Sequence, residues 1–186
     1  MARKTLFHLL GWITLLIFPI SAFWALWYFE DIDFYSVLSL HELAENYWLL
    51  GLQFGFYYGI LVLAFAESGL MAEEDLSQTR FIQSLKLNWG DILFMSFCAG
   101  FGEELLFRAG IQHWLGPWIT SIIFIAIHGY LNPFKPKTFL YGLFIIPFIL
   151  GLAFAYDYFG LWFCIAAHFS FDLLLLRVYA VEKSII

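Results

Sequence analysis

Apolar blocks of about 20 residues recur along this chain, each long enough to cross a bilayer core of about 30 Å. That recurrence decides most of what the chain can fold into. In hydrocarbon every backbone N–H and C=O must be paired internally, so only helices and closed barrels span. Barrel strands alternate apolar and polar residues, and these blocks do not. The sequence is 62% hydrophobic and 13% charged, whereas a soluble domain is closer to half and a quarter. The expected fold is therefore all-α, a polytopic membrane helix bundle. Residues 1–186 are read as one integral membrane domain.

Six spans are expected, at roughly 5–29, 46–66, 91–111, 114–131, 138–157 and 160–180. The first runs to about Phe29 and ends in aromatic and acidic residues rather than small ones, so it reads as a retained span and not a cleaved leader. Basic residues set the orientation. With the N-terminus inside, Arg3, Lys4, Arg80, Lys86, Lys135, Lys137, Arg177 and Lys183 all fall on the cytoplasmic side. The first outer loop carries Glu30, Asp31, Asp33, Glu42 and Glu45 and no Lys or Arg. Both termini are thus expected in the cytoplasm. Segment 67–90 is too polar to span. Leu76, Phe81, Ile82 and Leu85 recur there at helical spacing beside Arg80 and Lys86, as in an amphipathic helix lying at the interface; an ordinary loop is the alternative. Nothing suggests nucleic-acid binding. Cys98 and Cys164 lie inside apolar blocks and read as buried free thiols.

Against this background the stretch AGFGEELLFRAG, residues 99–110, stands out. A charge at mid-bilayer costs roughly 2.5–3.5 kcal/mol on insertion scales, and this block carries Glu103, Glu104 and Arg108. Glu104 and Arg108 are spaced i,i+4 and can pair on one helix face. Glu103 lies about 100° round the helix, without that partner, and is free to act as a general base. Two later blocks also carry polar residues at depth. IIFIAIHGYLN places His128 four residues after Phe124, and WFCIAAHFSFDLLLL places His168 and Asp172 four apart. A bundle can gather these groups around a wet cavity. By contrast HELAEN, residues 41–46, lacks the second His of HExxH, so His41 and Glu42 read as loop residues. His8 and His113 fall near span ends and read as interfacial.

The ordered set EExxxR (Glu103, Glu104, Arg108), FxxxH (Phe124, His128) and HxxxD (His168, Asp172) resembles the CAAX-protease and bacteriocin-processing (CPBP, Abi) family of intramembrane proteases. The likeness covers residues 90–175. It implies a glutamate-type, metal-independent endopeptidase acting on a membrane-associated or lipid-anchored protein or peptide, in a prokaryotic cytoplasmic membrane. By position, Glu103 and His128 would activate water, and His168 and Asp172 would stand on the oxyanion side. Glu104, Arg108 and Phe124 would support the site. Prenyl-processing members usually have Asn where this chain has Asp172. An ionised Asp cannot donate to an oxyanion, so Asp172 is protonated, orients His168 or ligates a metal; orientation of His168 is the role expected for it.

Three other readings stay open. Glu103, His128, His168 and Asp172 are also a donor set suited to a divalent metal. A partner-binding or bacteriocin-immunity protein needs no turnover. A proton-coupled transporter uses similar Glu and His chains, although no repeat relates the six spans. The motif depths place the site mid-to-outer, apart from His128, which falls nearer the inner end of the fourth span. A cavity open to the outside is expected.

Overall fold

The computed structural model describes residues 2–68 and 77–181, with side chains of 77–80 left aside. Helix α1 covers Ala2–Glu30, α2 Phe34–Leu38, α3 Tyr47–Ala66, α4 Ser77–Leu85 and α5 Trp89–Cys98. Two π-helical stretches follow, Ala99–Glu103 and Leu105–Ile111. Helix α6 covers Gln112–Ile127 and α7 Pro136–Ala180. A short 3₁₀ helix, Leu40–Glu45, precedes α3. Among the described residues four helical runs are long and apolar enough to cross a membrane: Arg3–Glu30, Tyr47–Ala66, Trp89–Ile127 and Pro136–Ala180.

Two of these runs fold back on themselves. Gly116 has φ 70° and ψ 173°, and Gly160 has φ 78° and ψ −178°, a left-handed backbone open to glycine at little cost. The ring centroids of Phe107 and Phe124 are 4.8 Å apart, and those of Phe148 and Phe171 4.3 Å. In a straight helix those pairs would be about 26 and 34 Å apart. Each pair is centred on its glycine turn. The described residues therefore make six legs in a membrane helix bundle, as the apolar blocks imply.

The fourth leg departs from expectation. It was expected over 114–131, and it occupies only 117–127, roughly 16 Å of rise. Pro117 sits where its missing N–H costs nothing, at the start of a leg. At the other end Gly129 N–H donates to the Ala126 carbonyl (3.0 Å) and Tyr130 N–H to the Ile125 carbonyl (3.3 Å). Gly129 has φ 76°. This is a Schellman stop, built on the residue type that favours it. Residues 128–135 then continue without helix. Irregular backbone at membrane depth is tolerated where it packs on protein or lines a wet cavity.

The acidic loop fastens the turn at Gly160. Leu161 N–H donates to Glu42 Oε2 (2.9 Å), and Trp162 Nε1–H to the Leu38 carbonyl (2.9 Å). Glu42, read from sequence as a plain loop residue, therefore caps the leg that carries His168. The expected amphipathic segment is helical over Ser77–Leu85, while Leu76 lies outside the described residues. Cys98 and Cys164 are free and buried.

Helix α3 packs on α7 through Gly51, Gly55 and Gly59. A Cβ at Gly55 would run into the Ala167 carbonyl and the Ser170 hydroxyl. Ser170 Oγ–H in turn donates to the Leu52 carbonyl (2.8 Å). Small residues that let backbones approach are the main source of helix association in lipid. Gly55→Leu is expected to destabilise the bundle by at least about 1–3 kcal/mol, because the opposing atoms are backbone and cannot turn away. Thermal unfolding in detergent checks this, and an unchanged midpoint would contradict the close contact.

Candidate active site

The charged motif occupies the two π-helical stretches, with Glu104 at their junction. π-helical turns are rare and occur mainly at functional sites. Glycines bring the neighbours close. A Cβ at Gly100 would meet the Ile165 carbonyl and the Phe169 backbone of α7, and one at Gly102 the Thr14 carbonyl of α1. The motif is thereby clamped between two legs, and Glu103 and Glu104 diverge from that clamp.

Glu104 and Arg108 pair as their spacing implies, with Arg108 Nε–H donating to Glu104 Oε2 at 2.9 Å. Both side chains are fully buried. The network extends beyond the expected pair in both directions. Arg108 Nη1 donates to Gln112 Oε1 (3.1 Å), and Gln112 Nε2 donates to the Ala153 carbonyl (2.7 Å). On the other side His168 Nδ1 lies 2.7 Å from Glu104 Oε1. Gln112 is a member that sequence reasoning missed. Its signal was there, since 104, 108 and 112 continue one i,i+4 row.

Two carboxylates flank the ring of His168. The short bond that sets the ring of His168 comes from Glu104, at Nδ1. Asp172 Oδ2 stands 3.7 Å from the other nitrogen, Nε2, beyond hydrogen-bond length. The Glu104 carboxylate thus stands closer to the His168 ring than that of Asp172, which lies one turn along the same helix.

His128 is held from the opposite side. Its Nδ1 lies 2.7 Å from the Phe124 carbonyl, and the Phe124 ring stacks on the imidazole at 4.4 Å. A carbonyl only accepts, so Nδ1 carries the proton and Nε2 of the neutral ring is an acceptor. That Nε2 faces Glu103 Oε2 at 3.6 Å. Glu103 Oε2 is buried and makes no hydrogen bond among the described residues. Phe124 also meets the ring of His168 edge-on, at 5.9 Å. It is thus the wall shared by both histidines. Tyr130, not singled out from sequence, lies parallel to His128 at 6.0 Å.

The depth conflict in the sequence reading is resolved by the Gly116 turn. Glu103 and His128 lie at nearly matching distances on either side of it, so they meet at close to one level. Side-chain exposure at the site rises with distance from the glycine turns. Arg108 and His168, each eight residues from a glycine turn, are 0% and 6% exposed at their side chains. Asp172 and His128, twelve residues from the turns, are 26% and 32% exposed. The site therefore opens away from the turns, toward the face that carries Lys4, Asp91 and Arg177. The physical reason is the short fourth leg, which leaves non-helical backbone beneath His128. Among the described residues no three His, Cys, Asp or Glu side chains are grouped as a metal ion would require.

Residues 85–174, just under half of the chain, match the Rce1-like family, described as type II CAAX prenyl endopeptidase Rce1-like. An uncharacterized protein of Bacillus subtilis (strain 168), YpbD, is 36% identical over 83 residues, which are 44% of this chain and 41% of that one. The chain thus spans about two fifths of the length of the curated relative it matches. No solved structure matches it.

Proposed function

Because residues 85–174 match the Rce1-like family, we propose that this chain is a glutamate-type intramembrane endopeptidase. Its substrate is a peptide bond in a membrane-associated or lipid-anchored protein or peptide. The observation that carries the reading is the pairing of Glu103 Oε2 with His128 Nε2, 3.6 Å apart inside the bundle, with Nε2 left as an acceptor by the Phe124 carbonyl. One water can donate its two hydrogens to these two acceptors, which turns its lone pairs toward an incoming carbonyl.

The chemistry then follows from the placement of the groups. The water oxygen attacks the carbonyl carbon as its proton passes to Glu103, a step for which a positioned base is worth about 10²–10⁴-fold. The oxyanion forms on the side of His168. With Nδ1 tied to Glu104, His168 presents Nε2 to the cavity, and in its imidazolium form Nε2–H donates to that oxygen. The C–N bond breaks and Glu103 returns its proton to the leaving amine. Asp172 balances the imidazolium across a gap that leaves Nε2 without a short acceptor. Arg108 and Gln112 hold Glu104 in place. The site faces the cytoplasm in this reading, with both termini on that side of a prokaryotic inner membrane.

The test compares peptide termini in membranes from cells expressing the wild type and Glu103→Ala, with and without a chelator. Termini that depend on Glu103 and ignore chelator are expected, and they would identify the substrate. Loss with chelator would assign the four residues to a metal instead. Identical termini in wild type and variant would point to a binding protein. A His168→Gln variant is expected to lose about 10²–10³-fold in kcat with little change in KM, as for removal of an oxyanion donor. Single-turnover cleavage of the identified peptide checks it.

A further inference from the structure

A second polar feature, lined by none of the site residues, lies where α1 begins and α4 ends. A cavity of about 610 Å³ is lined by Arg3, Lys4, Thr5, His8, Ser84, Leu85 and Lys86. Its cations come from two elements far apart in sequence. Lys4 and His8 reach Asp91, a buried carboxylate that also closes the capping box of α5 with Asn88. Among the described residues Asp91 is the single acid near three Lys and Arg side chains, and Arg3 and Lys86 have no carboxylate partner, so among these residues the cations outnumber the acid. Arg3, Lys4 and Thr5 also lie in the first turn of α1, where backbone N–H groups lack intrahelical acceptors.

The surroundings indicate what kind of anion fits. Trp89 is 56% exposed, three residues past Lys86, with Arg177 stacked on its ring at 4.8 Å. Exposed Trp at the start of a spanning helix marks the headgroup level of a bilayer. Directly along α1 from the cavity, Leu6, Leu9 and Leu10 are exposed apolar residues. A ligand seated here meets cations and N–H donors at its head and an apolar helix face along its tail. We propose that this cavity binds the phosphate headgroup of an anionic phospholipid, with the acyl chains lying along α1. A basic pocket at the membrane interface suits such headgroups, each Lys or Arg contributing a modest share of the attraction. The lipid would tie α1 to α4, and neither element carries a catalytic motif.

Intact-complex mass spectrometry of the full chain in neutral detergent provides the test, with phosphatidylglycerol and phosphatidylcholine as probes. The wild type is expected to retain phosphatidylglycerol in preference to phosphatidylcholine. Arg3→Gln and Lys86→Gln should each weaken retention about fivefold, and the double variant about thirtyfold. Both side chains are exposed, so folding should survive, which the thermal midpoint of each variant verifies. Lys135→Gln, a charge removed from the same face away from the cavity, should leave retention unchanged. Equal retention of the two lipids overturns the proposal. So does a loss in Lys135→Gln as large as in Arg3→Gln, which would reveal diffuse surface charge. Displacement of the lipid by millimolar inorganic phosphate would assign the cavity to a soluble anion and overturn the lipid assignment.

Discussion

Glu103→Gln is expected to abolish measurable cleavage, by about 10³-fold or more, while the protein inserts and folds at least as well as the wild type. The two halves of this result have one cause. Glu103 Oε2 is buried and makes no hydrogen bond among the described residues. Burying such a group costs stability, and the neutral amide lowers that cost. It cannot take a proton from water, so the base is lost. A residue kept only for structure would behave the other way, losing stability when replaced and leaving turnover in any protein that folded. Parallel measurement of the thermal midpoint and of single-turnover cleavage separates the two cases. Wild-type cleavage by Glu103→Gln would end the mechanism proposed above.

Arg108→Met should have the opposite signature, with folding failing first. Arg108 and Glu104 are both fully buried, and the guanidinium also holds Gln112. Removing one partner of a buried ion pair costs about 3–5 kcal/mol, because the other charge stays behind unpaired. Glu104 would keep only His168. The expected readout is a collapse in the yield of monodisperse protein after detergent extraction. Replacing both members, as Glu104→Leu with Arg108→Met, should recover much of that yield, since two apolar side chains leave no orphaned charge. Cleavage should remain absent, because His168 then has no acceptor at Nδ1. If Arg108→Met alone matched the wild type in yield and midpoint, the pair would not be a structural element of this bundle.

The sequence by itself determined the solvent, the helical class and the chemical inventory. Uncompensated backbone is so costly in lipid that apolar blocks of this length leave little choice but helix. For the same reason Glu103, Glu104 and Arg108 announced themselves. The i,i+4 spacing of Glu104 and Arg108 is short-range information, and it predicted their pairing. The stop of the fourth leg was also legible in the step from His128 to Gly129, a Schellman signal that the apolar pattern running on to Leu131 obscured.

Only the tertiary structure decided which groups meet. Glu104 is bonded to His168 across 64 positions of sequence, and no spacing rule reaches that far. The Gly116 turn sets Glu103 opposite His128, and the Gly160 turn, capped by Glu42, sets the level of His168. The length of the fourth leg was decided there too: it is 11 residues long, and residues 128–135 beyond it are not helical. Local energetics fix which segments are helical and which charges need partners. The partners themselves are fixed by how the legs pack, where a single backbone contact such as Gly55 on Ala167 sets the register of everything carried beyond it.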